Sequence, residues 1–211
     1  MWDSTAEALL DRWIALSGPG GSKYGRELID CYREPHRRYH TTEHLTHVLD
    51  VIDLLEAEAE QPDAVRYAAW FHDAVYEIGA DTKLTNEERS ARLAEAVLRE
   101  LGAPTDLVAE VGRLVRRTAD HRIGPSDRNG AVLCDADLSI LGGSAADYQR
   151  YAAQVRAEYQ QIPGPQFRSG RATILRDLLD RPAIYRTPRA RELYEVAARE
   201  NLVAEIDRLT G

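Results

Sequence analysis

The chain has 211 residues, 44% of them hydrophobic, which suits one domain spanning residues 1–211 with a buried core. Its formal net charge of −8 argues against a nucleic-acid polymer as partner, because a phosphate backbone is bound by a basic face. The two cysteines, Cys31 and Cys134, are too few and too far apart for a disulfide framework or a thiolate zinc cage.

Hydrophobic residues recur with helical spacing along most of the chain, as in Leu45, Val48 and Ile52, and strand-like alternation is scarce. Typical helix-start residues precede several periodic segments, for example Thr85 with Glu88 three residues later. The pattern predicts an all-α, single-domain helical bundle with helices at about residues 4–17, 22–33, 42–60, 63–78, 85–101, 104–121, 131–141, 145–161, 166–180 and 188–209.

Charged residues interrupt every hydrophobic run well before membrane length, and the amino terminus lacks a basic region followed by an apolar stretch. We therefore expect a cytoplasmic protein that neither spans nor binds a membrane. The sequence does not indicate an oligomeric state.

Three histidines lie in one short run, Tyr39-His40-Thr41-Thr42-Glu43-His44-Leu45-Thr46-His47. His40, His44 and His47 share one face if the helix begins as early as His40, and clustered imidazoles are suited to binding a metal. His47 is followed by two apolar residues, which favours a packing or supporting role over direct coordination. His36, in the preceding charged segment, is expected in a surface loop.

Acidic residues interrupt two later apolar stretches. His72-Asp73 lies within residues 68–76, and Asp135 and Asp137 lie within residues 132–141. An ionised carboxylate in such surroundings is costly unless it is paired or coordinated. His72 and Asp73 could satisfy each other, and Asp135 could cap a helix; together with His44, however, these residues offer the nitrogen and oxygen ligands of a divalent metal. Either aspartate of the later pair could be the last ligand.

The order His44, His72-Asp73 and a distant Asp137 resembles the signature of the HD-domain superfamily of metal-dependent phosphohydrolases. Over nearly the whole chain the similarity is to a bacterial group of metal-dependent HD-superfamily phosphohydrolases, through Arg38-Tyr39-His40, residues 71–76, 86–91 and 135–138, and Gly170-Arg171. The resemblance implies an HD-type bundle in which a divalent ion (Mn, Co, Ni, Fe, Zn or Mg) is bound by His44, His72, Asp73 and Asp137. The resemblance selects Asp137 over Asp135 as the last metal ligand.

Residues 39–44 also look like the corresponding motif of the cyclic-nucleotide phosphodiesterases. There, a histidine of the His40 type protonates the leaving group, a role that suits the near-neutral pKa of imidazole. The chain departs from those enzymes after His72-Asp73, where no second histidine follows closely, and beyond Asp137, where their glutamine-and-aromatic clamp is missing. Cyclic-nucleotide cleavage is therefore not the expected reaction.

Two glutamates compete for a further acid–base role. Glu77 would lie one turn beyond Asp73 if both are helical, and Glu87 is the alternative, because Glu88 is engaged in the capping box with Thr85.

Phosphate binding favours the forked guanidinium of arginine, although many arginines on a helical surface are simply solvated. His121 could either complement the end of a helix or contact phosphate. The candidates for substrate binding are Arg38, His121, Arg156 and Arg171, with Arg168 beside the last of these.

We expect metal-dependent hydrolysis of a phosphomonoester or phosphodiester of a small molecule, with nucleotides among the candidates. One alternative is a di-iron oxygenase of the same superfamily. It would require additional histidine ligands between Asp73 and Asp137, where only His121 occurs. The other alternative is a sensor that binds a nucleotide without catalysis, against which the complete ligand set argues.

Overall fold

The computed structural model describes residues 3–79 and 83–211, which form ten α-helices and contain no β-strand. The all-α bundle predicted from the hydrophobic spacing is confirmed. The helices are α1 (Ser4–Ser17), α2 (Ser22–Tyr32), α3 (Thr42–Leu54), α4 (Pro62–Phe71), α5 (Asn86–Glu100), α6 (Thr105–Arg117), α7 (Arg128–Asp137), α8 (Ala145–Glu158), α9 (Gly164–Leu179) and α10 (Pro188–Thr210).

Helix α4 lies at the centre of the bundle and contacts α1, α3, α5, α6 and α7. Seven of its ten residues are buried, as expected for a helix that is apolar on nearly every face. Trp70 and Phe71 meet Trp13 of α1 edge to face, with ring centroids 5.2 and 5.8 Å apart. This packing anchors the carboxyl end of α4, which is directly followed by His72.

Two predicted helices end earlier than their hydrophobic spacing suggests. The segment 42–60 is α-helical only over Thr42–Leu54 and continues as a short 3₁₀ turn, Glu56–Glu58. The segment 63–78 ends at Phe71. In the turn that follows, the buried guanidinium of Arg37 donates to the carbonyl oxygens of Asp73 (2.7 Å) and Ala74 (3.1 Å), which a helix extending to residue 78 would use for its own bonds.

The helices around His121 also differ from prediction. Helix α6 ends at Arg117, so His121 lies beyond the helix, in the left-handed region with φ of 51°. Helix α7 begins at Arg128 because the Asp127 side chain accepts the Gly130 N–H at 2.9 Å. After Asp137 the chain forms a 3₁₀ turn, Leu138–Gly142.

No helix in the described part of the chain is both long enough and apolar enough to cross a membrane.

Candidate metal centre

Three side chains from separate helix ends converge in the bundle. His44 lies in the first turn of α3, His72 follows the last residue of α4, and Asp137 is the last residue of α7. One ligand atom of each lies within 4.8 Å of the others. This His-His-Asp cluster could hold a metal ion, because it combines the two ligand types that divalent transition metals prefer near neutral pH.

The distances within the cluster fit a single ion. The Nε2 atoms of His44 and His72 lie 3.1 Å apart, and Asp137 Oδ1 lies 3.4 and 3.5 Å from them. Asp73 Oδ2 lies 3.5 Å from His44 Nε2 and 3.1 Å from His72 Nε2. Around an ion with ligand bonds of about 2.1 Å, neighbouring ligand atoms are expected roughly 3.0–3.4 Å apart.

The outer nitrogens of both imidazoles are held by the protein. His72 Nδ1 donates to the Ala69 carbonyl oxygen at 2.8 Å. Because a carbonyl can only accept, this bond directs the Nε2 lone pair of the neutral ring into the cluster. His44 Nδ1 lies 3.2 Å from the Tyr39 hydroxyl. Both rings are thus oriented before any ion binds.

The electrostatics of the cluster favour positive charge at its centre. Burial lowers the pKa values of His44 and His72, but the carboxylates of Asp73 and Asp137 outweigh burial, so that both pKa values are raised. For Asp73 and Asp137, burial raises the pKa, but the neighbouring imidazoles, with His72 first, bring it well below its usual range. The buried carboxylates are therefore ionised, and the neighbouring imidazoles carry the compensating positive charge that a bound ion would otherwise supply.

His40 reaches the cluster from the loop before α3, since the helix begins only after the capping residue Thr41. Its Nε2 lies 3.9 Å from Asp73 Oδ2, and its Nδ1 lies 2.7 Å from Oε2 of Glu158. The Tyr76 hydroxyl donates to the same Glu158 oxygen at 3.1 Å. His40 thus lies beside the His-His-Asp cluster because of the loop and not because of a shared helix face.

Glu158 at the end of α8 organises this loop, although sequence reasoning missed it. Glu158 is 4% exposed, and its Oε1 accepts the N–H groups of Arg38, Tyr39 and His40 at 2.7, 2.8 and 3.0 Å. Burial raises the pKa of Glu158, but the His40 side chain and these backbone donors outweigh it and lower the pKa to about 2. The sequence contains no sign of this role, because the loop lies about 120 residues away.

Arg37 is the second residue that sequence reasoning missed. Besides the carbonyls of Asp73 and Ala74, it donates to the His40 carbonyl at 3.2 Å and pairs with Glu34 at 2.9 Å. It therefore joins the loop that carries His40 to the turn that carries Asp73. The sequence shows two adjacent arginines at positions 37 and 38. It does not distinguish the buried Arg37 from the exposed Arg38, which sequence reasoning proposes for substrate binding.

Asp135 and Asp137 have separate environments. Asp135 accepts the backbone N–H groups of Arg186 and Thr187 at 2.7–3.0 Å, where α10 begins. Burial raises the pKa of Asp135 to about 6 despite these donors. Asp137 instead faces the imidazoles through Oδ1, and its Oδ2 lies 2.8 Å from His121 Nε2.

Two further histidines have supporting contacts. His47 Nε2 lies 2.8 Å from the Ser139 hydroxyl, just after α7, in keeping with a supporting role. His36 is exposed, as expected, and its Nε2 contacts the Tyr76 carbonyl at 2.8 Å.

A cleft of about 570 Å³ opens onto the cluster and is called the main cleft below. It is lined by His40, Asp73 and Asp137 and by three more of the residues proposed from sequence: Glu87, His121 and Arg171.

The structure places three proposed residues away from the main cleft. Glu77 is not one helical turn beyond Asp73, because α4 ends before either residue; its carboxylate pairs with Arg89 at 2.9 and 3.1 Å. Arg38 donates to the carbonyls of its own loop. Arg156 donates to the carbonyls that follow α8 and stacks on Phe167, in a groove that also includes Arg168.

An all-helical bundle in which His44, His72 and Asp137 lie close together is compatible with the HD-type fold that the sequence resembles. The described residues thus establish the helical class and a cluster able to hold a metal ion. The chain matches no protein-family model, no curated protein and no solved structure.

Proposed function

We propose that this protein is a cytoplasmic, metal-dependent phosphohydrolase of HD type that acts on a small phosphate ester. The observation that supports the proposal is one juxtaposition in the main cleft: a His-His-Asp cluster beside a histidine, His40, that is fixed by a buried carboxylate. Metal-assisted ester hydrolysis needs both a site for the ion and a group that can transfer a proton to the leaving oxygen.

His44, His72, Asp73 and Asp137 would hold the divalent ion. When bound, such an ion supplies Lewis acidity and a water molecule of lowered pKa. Two imidazole nitrogens among the four donors favour a transition metal such as Mn, Fe, Co, Ni or Zn over Mg, which prefers oxygen ligands.

His40 has the geometry of a proton donor. The Nδ1–H group of His40 donates to Glu158, which leaves Nε2 as the nitrogen that faces Asp73 and the main cleft. A proton at Nε2 can pass to the oxygen that departs from phosphorus. Glu158 acts as a positioning residue, because it fixes both the ring and the backbone of His40.

The test combines metal analysis with a panel of phosphomonoesters and phosphodiesters assayed with Mn, Fe, Co, Ni, Zn and Mg. We expect His44→Ala to lose both metal and turnover. We expect His40→Ala to keep stoichiometric metal while its turnover falls about 10²–10⁴-fold. His36→Ala serves as the control, since this exposed histidine lies outside the main cleft.

Equal loss of metal in His40→Ala and His44→Ala would contradict the assigned roles. If the metal-loaded protein hydrolyses no phosphate ester, the hydrolase proposal is wrong. Oxygen consumption by the iron form would then favour the oxygenase, and nucleotide binding without turnover would favour the sensor.

A further inference from the structure

One arginine that lines the main cleft is already neutralised by a buried glutamate. Arg171 donates to both oxygens of Glu205 at 3.0 and 3.3 Å, and its guanidinium lies over the Tyr151 ring, 5.1 Å from the centroid. Its side chain is 10% exposed. Redirecting Arg171 towards a phosphate would leave Glu205 buried without its cation, which is costly.

The other two arginines of the lining share one aspartate. Arg122 and Arg181 both donate to Asp177, at 2.6 and 2.8 Å. Arg181 also donates to the backbone carbonyls of Asp120 and His121. Every arginine that lines the main cleft within the described residues is therefore committed to a carboxylate of the protein.

The lining as a whole is acidic. Its three arginines stand against five carboxylates, those of Asp73, Glu87, Asp120, Asp137 and Asp177. With Glu205, the partner of Arg171, the carboxylates outnumber the arginines by three, so a divalent ion at the His-His-Asp cluster would still leave an excess of one negative charge. Each additional phosphate of a substrate would then face carboxylates without a free arginine to receive it.

Apolar side chains form a further part of the lining. Ile174 stands out because it is 58% exposed, although it lies on α9 beside the buried Leu175 and Leu178. The remaining apolar members are Leu138, Leu141 and Val155, and three tyrosines add ring surface: Tyr76, Tyr151 and Tyr159. Such a surface gains free energy by covering an apolar group and offers little to a polyol.

We propose that the substrate is a phosphomonoester with a single phosphoryl group joined to an apolar or aromatic group. The phosphoryl group lies at the metal cluster beside His40, and the remainder lies against the apolar lining that includes Ile174. Diphosphates, triphosphates and sugar or polyol phosphates are disfavoured. This inference rests on the proposed phosphohydrolase function and narrows it.

Three probes test the single phosphoryl group and the apolar remainder separately: hexyl phosphate, glycerol phosphate and hexyl diphosphate. We expect kcat/KM of the metal-loaded protein to be at least about tenfold higher for hexyl phosphate than for either of the others. Calorimetry with metal-loaded His40→Ala, which is expected to bind without turnover, should show the same order of affinities.

Ile174→Ser tests the apolar contact without adding charge, and the exposure of Ile174 makes misfolding an unimportant concern. We expect KM for hexyl phosphate to rise about fivefold with little change in kcat, and KM for glycerol phosphate to stay constant. Val196→Ser is the matched control, because Val196 is 72% exposed on α10 and lies outside the main cleft.

Hydrolysis that favours glycerol phosphate or hexyl diphosphate would overturn the inference and leave the proposed function standing. If no phosphate ester is hydrolysed, the proposed function fails and the substrate inference fails with it. If hydrolysis is observed, equal binding of hexyl and glycerol phosphate by metal-loaded His40→Ala would overturn the inference alone, whereas tighter binding of hexyl phosphate would support it.

Discussion

Replacing Glu158 by glutamine should destabilise the protein in a pH-dependent way. The side chain keeps its size but loses the charge that accepts three backbone N–H groups and the His40 Nδ1 proton. The pKa of Glu158 is lowered from 4.5 to about 2. At about 1.4 kcal/mol per pKa unit, the carboxylate contributes roughly 3 kcal/mol to the free energy of unfolding at pH 7.

The direction of the pH dependence follows from the lowered pKa of Glu158. The contribution is present above about pH 4.5 and is lost as the pH falls towards 2, with about 40% of it gone by pH 3.5. We therefore expect Glu158→Gln to be about 3 kcal/mol less stable than the parent at pH 7, and about 2 kcal/mol less stable at pH 3.5.

Urea unfolding of both proteins at the two pH values measures these differences. Glu200→Gln, a substitution of an exposed glutamate on α10, should match the parent at pH 7 and at pH 3.5. A difference between Glu158→Gln and the parent that is equal at both pH values would refute the reasoning, because the loss would then come from packing and not from the charge.

Three other predictions concern the metal, the acidic pair and the helices. Adding the cognate metal at about 100 times its dissociation constant should raise the free energy of unfolding by about 2.7 kcal/mol, and a chelator should reverse the shift in melting temperature. Metal analysis should show loss of the ion in Asp137→Asn but full occupancy in Asp135→Asn. Asp135→Asn should lower the free energy of unfolding by about 1 kcal/mol, because it weakens the contacts at the start of α10. The opposite result for the metal would make Asp135 the ligand. In chemical denaturation, Gly25→Ala should lower the free energy of unfolding by about 1–3 kcal/mol, because the new Cβ would overlap the Trp13 ring. Gly170→Ala in α9 should raise it by up to about 1 kcal/mol, because the new Cβ meets no atom within 4 Å. Equal effects of the two alanines would contradict the packing argument.

The sequence by itself determined the helical class and the residues of the His-His-Asp cluster. Helical periodicity is a local property, so segments such as 4–17 and 188–209 could be placed within a residue or two of α1 and α10. His44, His72 and Asp137 could be selected because ionisable side chains in apolar segments require partners, and because their order resembles the HD signature.

Only the tertiary structure decided how the loops meet the cluster. Helix α4 ends at Phe71, and Arg37 binds the carbonyls of Asp73 and Ala74 in the turn that follows, so Glu77 does not lie on the face on which a longer helix would have placed it. Glu158 fixes His40 from about 120 residues away. Hydrogen bonds of this kind join groups that no local pattern relates, because they depend on how the helices pack and not on the spacing of residues along the chain.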